Sequence, residues 1–133
     1  MIIFVQKNFI LERSEQELVR REKLKQLRTL GIDPYPAAAF YTDANSESIA
    51  ADFTEGKQVT IAGRLMSRRI QGKASFAELQ DSQGRIQIYF NRDILCPTED
   101  KSMYNDVDKN LLDLGEIIGV TGTLFTTQVG EKT

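Results

Sequence analysis

The sequence predicts a mainly β domain: a five-stranded Greek-key barrel, its last strand truncated, preceded by an N-terminal α-helix. Three observations carry that prediction. Apolar residues recur with period two between Val59 and Phe90, interrupted by two glycine-containing turns, so three strands meander in succession. A helical pattern follows from Tyr104. A further alternating stretch then ends at a turn close to Thr133. Strand, strand, strand, helix, strand and turn, in that order, are the plan of an OB-fold, which needs one more strand to close. Ile2–Val5 is the one alternative source of that strand.

The elements follow in order. Residues 1–13 form an irregular start, 14–55 a helical region and 56–133 the barrel. Ser14 and Glu17 have the S-x-x-E spacing of a capping box, so a helix starts near Glu15. It runs to Leu30, with Gly31 placed as the residue that ends it. Val19, Leu27 and Leu30 share one face, while Arg21, Lys25 and Arg28 form a basic stripe on another. That stripe reads as a solvated face or as a set of phosphate contacts. Pro34 and Pro36 keep the next stretch extended. A short helix over Ser46–Phe53, capped by Asn45 or Ser46, precedes the strands.

Strand one alternates through Val59, Ile61, Gly63 and Leu65, and strand two covers Ala74–Gln80. Asp81-Ser-Gln-Gly84 is the turn into strand three, Arg85–Phe90. Tyr104, Val107, Leu111 and Leu114 recur at helical spacing, and Gly115 closes that helix. Strand four spans Glu116–Thr126, with Ile118, Val120 and Leu124 on one face, and Gln128–Glu131 turns the chain back.

Composition narrows the function. The 133 residues carry a net charge of −2, but residues 60–92 hold six basic against two acidic side chains, while 93–133 hold three against eight. A local basic face binds phosphate even in an acidic protein. Without His there is no His-based acid–base site, and there is neither a glycine-rich phosphate loop nor a metal-ligand cluster. Asp113, Glu116 and their acidic neighbours read as solvated faces rather than a catalytic dyad. Cys96 stands alone, which allows no internal disulfide. No apolar run approaches the ~20 residues of a membrane helix. Met1–Val5 lacks the basic leader of a signal, so a cytoplasmic protein with no membrane partner is expected.

Pairing strands two and three across Asp81–Gly84 sets Phe76 opposite Tyr89, Glu78 opposite Gln87 and Gln80 opposite Arg85. Because side chains alternate, Ala77, Leu79, Ile86, Ile88 and Phe90 take the core face. The outer face then mixes aromatic rings with amides and charge. A cross-strand aromatic pair stabilises a sheet on its own. The same face also suits a single-stranded base: Phe76 to stack on it, Gln87 to hydrogen-bond its edge, Arg68 or Arg69 to reach phosphate or carbonyl oxygens.

The stretches RREKLKQLRTLGIDPYP, VTIAGRLMSRRIQGKASFAELQDSQGRIQIYF and DLGEIIGVTGTLFTTQVGE closely resemble the N-terminal anticodon-binding domain of bacterial lysyl-tRNA synthetases, which are class II enzymes. The resemblance covers the chain from Glu15 onward. It implies that Phe76 stacks on the middle base of the lysine anticodon, that Gln87 and Arg69 hydrogen-bond that base, and that Glu131 reads a neighbour. Strict alternation places Arg68, not Arg69, beside Phe76; a bulge in strand one would reconcile the two. Arg64, Lys73, Arg21, Lys25 and Arg28 are further candidates for backbone phosphate contacts.

The resemblance implies the anticodon stem-loop of tRNA-Lys as partner and a homodimer for the full-length enzyme. It implies ATP and Mg2+ as cofactors of a catalytic domain elsewhere in that enzyme, and none in this stretch. Two other expectations compete with anticodon recognition: a free-standing OB-fold binder of single strands, and a structural or dimerisation domain.

Overall fold

The computed structural model describes residues 13–133. The chain divides into two compact units, one ending at Pro34 and the other running Tyr35–Thr133. The irregular start expected over residues 1–13, and Ile2–Val5 as a strand, fall outside the described residues except for Arg13.

In the first unit, α1 spans Glu15–Thr29. Ser14 Oγ accepts from Glu17 N–H at 3.2 Å, satisfying one of the amide groups left open at the helix start. Gly31, at φ +81°, takes the left-handed conformation that ends the helix, and Ile32 N–H donates back to the Leu27 carbonyl. Of the trio expected on one apolar face, Leu27 is buried, whereas Val19 and Leu30 are about half exposed.

The second unit is a curled antiparallel sheet in the order β3-β2-β1-β4, with β1 Gln58–Gln71, β2 Ala74–Gln80, β3 Arg85–Asn91 and β4 Ile117–Thr123. This curled half-barrel is consistent with the mainly β OB-fold expected. Among the described residues it has four strands. After β4 the chain turns at Thr127–Glu131, and Thr126 bridges Lys132. The β2–β3 register is the expected one, from Ala74 opposite Asn91 to Gln80 opposite Arg85. Val59, Ile61, Leu65, Leu79, Ile88 and Leu124 fill the core, with Ile49 packed among them. Leu65 and Leu79 face each other across β1–β2 and are fully buried. Burial of such a side chain stabilises the fold by about 1.5–3 kcal/mol.

Ile49 comes from α2, Ser46–Ala51, which stops two residues short of the expected Phe53. Asn45 is its cap, in a reciprocal capping box with Ser48. The carboxylate of Asp81, in the β2–β3 turn, accepts from Ser46 N–H at 2.6 Å and Ser46 Oγ at 2.7 Å. The helix is thereby tied to the same hairpin that carries Phe76.

Two local features bend the sheet. A β-carbon on Gly63 would lie 2.4 Å from the Gln80 carbonyl oxygen, so only glycine fits where β1 crosses β2. Two residues further on, the register slips between Leu65 opposite Leu79 and Ser67 opposite Glu78, leaving Met66 as the extra residue of a β-bulge.

The helix after β3 also differs from expectation. Arg92–Leu95 forms one short turn, α3, and Met103–Leu111 winds as a π-helix. Tyr104, Val107 and Leu111 are buried as expected, but Leu114 lies beyond the helix and is half exposed. Asp108, at i+4 from Tyr104, is buried on the same face, an acidic side chain that the apolar pattern alone does not reveal. No described helix is long and apolar enough to cross a membrane.

Candidate nucleic-acid interface

The bulge decides which arginine meets the ring. Past Met66 the alternation of β1 is inverted, so Arg69 pairs with Phe76 and Arg68 with the core residue Ala77. The guanidinium of Arg69 lies over the Phe76 ring, 5.4 Å from its centre, in a cation–π contact. Tyr89 flanks the same ring at 5.0 Å with its plane tilted by 47°. Phe125, just past β4, meets Tyr89 edge-on at 5.7 Å. Three rings from β2, β3 and the segment after β4 thus form a continuous row, capped by an arginine. Phe76 is half-buried in this row rather than freely exposed.

Polar groups border the row. Gln87 sits opposite Glu78, and Arg85 bridges to Glu78 at 2.7 Å and to Gln80 at 3.0 Å. Arg69, Phe76, Glu78, Gln87 and Glu131 line one open cleft of about 240 Å³. The sequence-predicted residues Arg69, Phe76, Gln87 and Glu131 therefore converge. The cleft offers a ring, a cation beside it, an amide and a carboxylate, a set that fits a planar base with hydrogen-bonding edges.

Of the other predicted cations, Arg68 also borders that cleft, but its guanidinium is engaged elsewhere. Its side chain turns to the opposite side of the sheet and is nearly buried. Its guanidinium donates to the carbonyls of Asp108 and of Lys109, the latter at 3.1 Å, and lies 4.0 Å from the Asp108 carboxylate. The expectation that Arg68 stands beside Phe76 is corrected by the bulge: Arg68 fastens β1 to the π-helix. Burial pushes the Asp108 carboxyl above its usual range, against the opposing effects of the Ser75 hydroxyl and Arg68.

Arg64 shares the outer face but donates to the Gly115 carbonyl at 2.7 Å. Lys73 occupies the β1–β2 turn, exposed and without an ion pair among the described residues. Arg21, Lys25 and Arg28 line a shallow groove within the helical unit, where Arg21 also reaches Glu17 at 3.5 Å.

This sorting separates the arginines experimentally. Removing Arg69 or Lys73 is expected to shallow the salt dependence of binding to single-stranded RNA by about 0.7 per lost phosphate contact, read as the slope of log affinity against log salt. Arg64→Ala and Arg68→Met should leave the slope unchanged. A fall in slope on removing Arg64 or Arg68 would place them at the interface after all.

Phe125 and Thr133 were not among the predicted site residues. The alternation of β4 that turns Leu124 inward turns Phe125 outward, so that signal was present. Thr133 carries no sequence signal; its role follows only from its contact with Gln87. Among the described residues, no three His, Cys, Asp or Glu side chains come together in a way that could hold a metal.

Residues 59–133 match the family model described as tRNA anti-codon, OB-fold nucleic acid binding domain. The chain belongs to this family. The matched stretch contains all four sheet strands save one residue of β1, and every residue that lines the cleft. Among curated relatives, this OB-fold chain is 63% identical to the lysine–tRNA ligase of Christiangramia forsetii, over 96% of its own length and 22% of the relative's. It is 58% identical to the lysine–tRNA ligase of Porphyromonas gingivalis, over 92% and 22%. The chain thus spans about 22% of the length of these relatives. Among solved structures, an OBody AM1L10 bound to hen egg-white lysozyme is a distant likeness, with a TM-score of 0.45 at 14% identity over 74% of this chain and 88% of that one.

Proposed function

We propose that this OB-fold domain binds the anticodon loop of a lysine tRNA as the recognition module of a lysine–tRNA ligase. One observation carries the reading most: Arg69, Phe76, Gln87 and Glu131, from three strands and a distant turn, border a single cleft. Identity to lysine–tRNA ligases over almost the whole chain supports it. In this reading Phe76 stacks on the middle base, Arg69 and Gln87 engage its edge, and Glu131 meets the next base.

The remainder of the proposal concerns a full-length, cytoplasmic enzyme. Charging of tRNA would use ATP and Mg2+, and the enzyme would act as a homodimer. The described residues do not fit a metal site, so no step of that chemistry is assigned to them. Their part is to bind and orient the loop.

The test is a comparison of anticodon stem-loops. A loop with a central uracil, as lysine anticodons have, should bind more tightly than the same loop with a central cytosine. A discrimination of about tenfold corresponds to one mismatched hydrogen bond. Equal affinity for both loops would refute anticodon recognition and leave a binder indifferent to sequence.

A further inference from the structure

Gln87 is the residue best placed to read a base edge, yet a carboxamide is ambiguous. Its oxygen accepts and its nitrogen donates, and a half-turn about the last side-chain bond exchanges them with little change in shape. A reader of that kind answers uracil in one orientation. In the other it answers cytosine, whose ring nitrogen accepts where uracil's donates. Discrimination therefore needs something that fixes the orientation.

The structure holds such a device at Thr133. This residue is buried, and its backbone exchanges hydrogen bonds with Phe125 in both directions, at 2.8 and 2.9 Å. Its Oγ1 donates to the Glu131 carbonyl at 3.2 Å. A threonine hydroxyl has one proton, and this one is committed, so Oγ1 can only accept from anything else it meets. What it meets is Gln87, whose Nε2 lies 3.0 Å away. The reverse orientation would set the Gln87 oxygen against the lone pairs of Oγ1. The chain Gln87 Nε2, Thr133 Oγ1, Glu131 carbonyl thus has a single direction. It leaves Gln87 Oε1 without a donor among the described residues, available as an acceptor beside the cleft.

We infer that Thr133 is a positioning residue that locks the polarity of the Gln87 amide, so that the site selects a base presenting a ring N–H, such as uracil. The inference rests on the anticodon reading above and deepens it. It also joins two parts of the site, because the hydroxyl that orients Gln87 is itself held by the backbone of Glu131.

The experiment measures dissociation constants of the full chain and of its Thr133→Val and Thr133→Ser variants for stem-loops with a central uracil or a central cytosine. Wild type should prefer uracil about tenfold. Thr133→Ser, which keeps the hydroxyl, should retain that ratio. Thr133→Val should bring the ratio to within about twofold, because the freed amide can turn to suit either base. Simple loss of structure would weaken both loops alike and leave the ratio standing. If wild type discriminates and Thr133→Val discriminates equally, the inference is overturned while anticodon recognition survives. If wild type itself does not discriminate, anticodon recognition falls and this inference with it. Should Thr133→Val not fold, nuclear magnetic resonance of the Gln87 side-chain amide in wild type decides the matter. One protected, slowly exchanging Nε2 proton supports the lock, and a freely rotating amide refutes it.

Discussion

Replacing Phe76 by alanine is expected to weaken binding of an anticodon stem-loop by about 1–3 kcal/mol, the contribution of one base–aromatic stack. The fold should stay intact, with a modest loss of stability. The ring lies on the outer face of β2, outside the core that Leu65 and Leu79 anchor, and its protein partners are Tyr89 at 5.0 Å and Arg69 at 5.4 Å. Loss of that aromatic pair costs about 0.5–1.5 kcal/mol of stability. The melting temperature should then fall by about 4–8 °C for each kcal/mol lost. Affinity by titration and melting by circular dichroism, on the same preparation, separate the two contributions. A sharply lowered melting temperature with unchanged affinity would mean that the ring serves packing alone.

Gln87→Ala should act differently. Stacking on Phe76 tolerates any base, because every base has a π-face. Base identity must be read by groups at the edge, and Gln87 stands one position along the face from the Phe76–Tyr89 pair. Uracil can satisfy the amide as donor and acceptor together, whereas cytosine leaves one partner unmatched, at a cost of about 1–3 kcal/mol. The variant is therefore expected to lose most of the preference for a central uracil while binding the cytosine loop almost as well as wild type does. Four dissociation constants, two proteins by two loops, give the result. Equal weakening of both loops would assign Gln87 to general contact instead of discrimination.

Much of this was legible in the sequence, and the exceptions have physical causes. The β2–β3 register followed from the turn, because Asp81–Gly84 fixes which residues face each other and alternation does the rest. Phe76 stood out because its parity opposed its hydrophobicity. The arginine beside it was a different matter. A bulge adds a residue without changing composition, so alternation counted through Met66 arrives at Arg68. Only the resemblance favoured Arg69 over Arg68. Arg64 and Arg68 were misread for a related reason: backbone carbonyls, which no sequence pattern displays, claim both guanidinium groups. Leu114 was misplaced because the helix stops at Leu111 and Leu112 is already extended, so the helical period no longer governs where Leu114 faces. Asp108 was hidden because charged residues are almost never fully buried unless paired, and its partner is remote in sequence.

The strand order has a consequence for the time course of folding. β1, β2 and β3 pair through short turns, whereas β4 reaches β1 only by closing the long connection from Asn91 to Ile117. Closing a longer loop costs more chain entropy, so contacts close in sequence form faster than remote ones. Arg69, Phe76, Tyr89 and Gln87 all belong to the fast, local meander. Phe125, Glu131 and Thr133 arrive with the slow step. An intermediate with the meander formed would already present a ring and a cation, sufficient to hold a base of any kind. Selectivity would mature only when the last segment docks. Pulse-labelled hydrogen exchange should show the β2–β3 amides protected before those of Phe125 and Thr133, and simultaneous protection would mean that the whole sheet forms in one step.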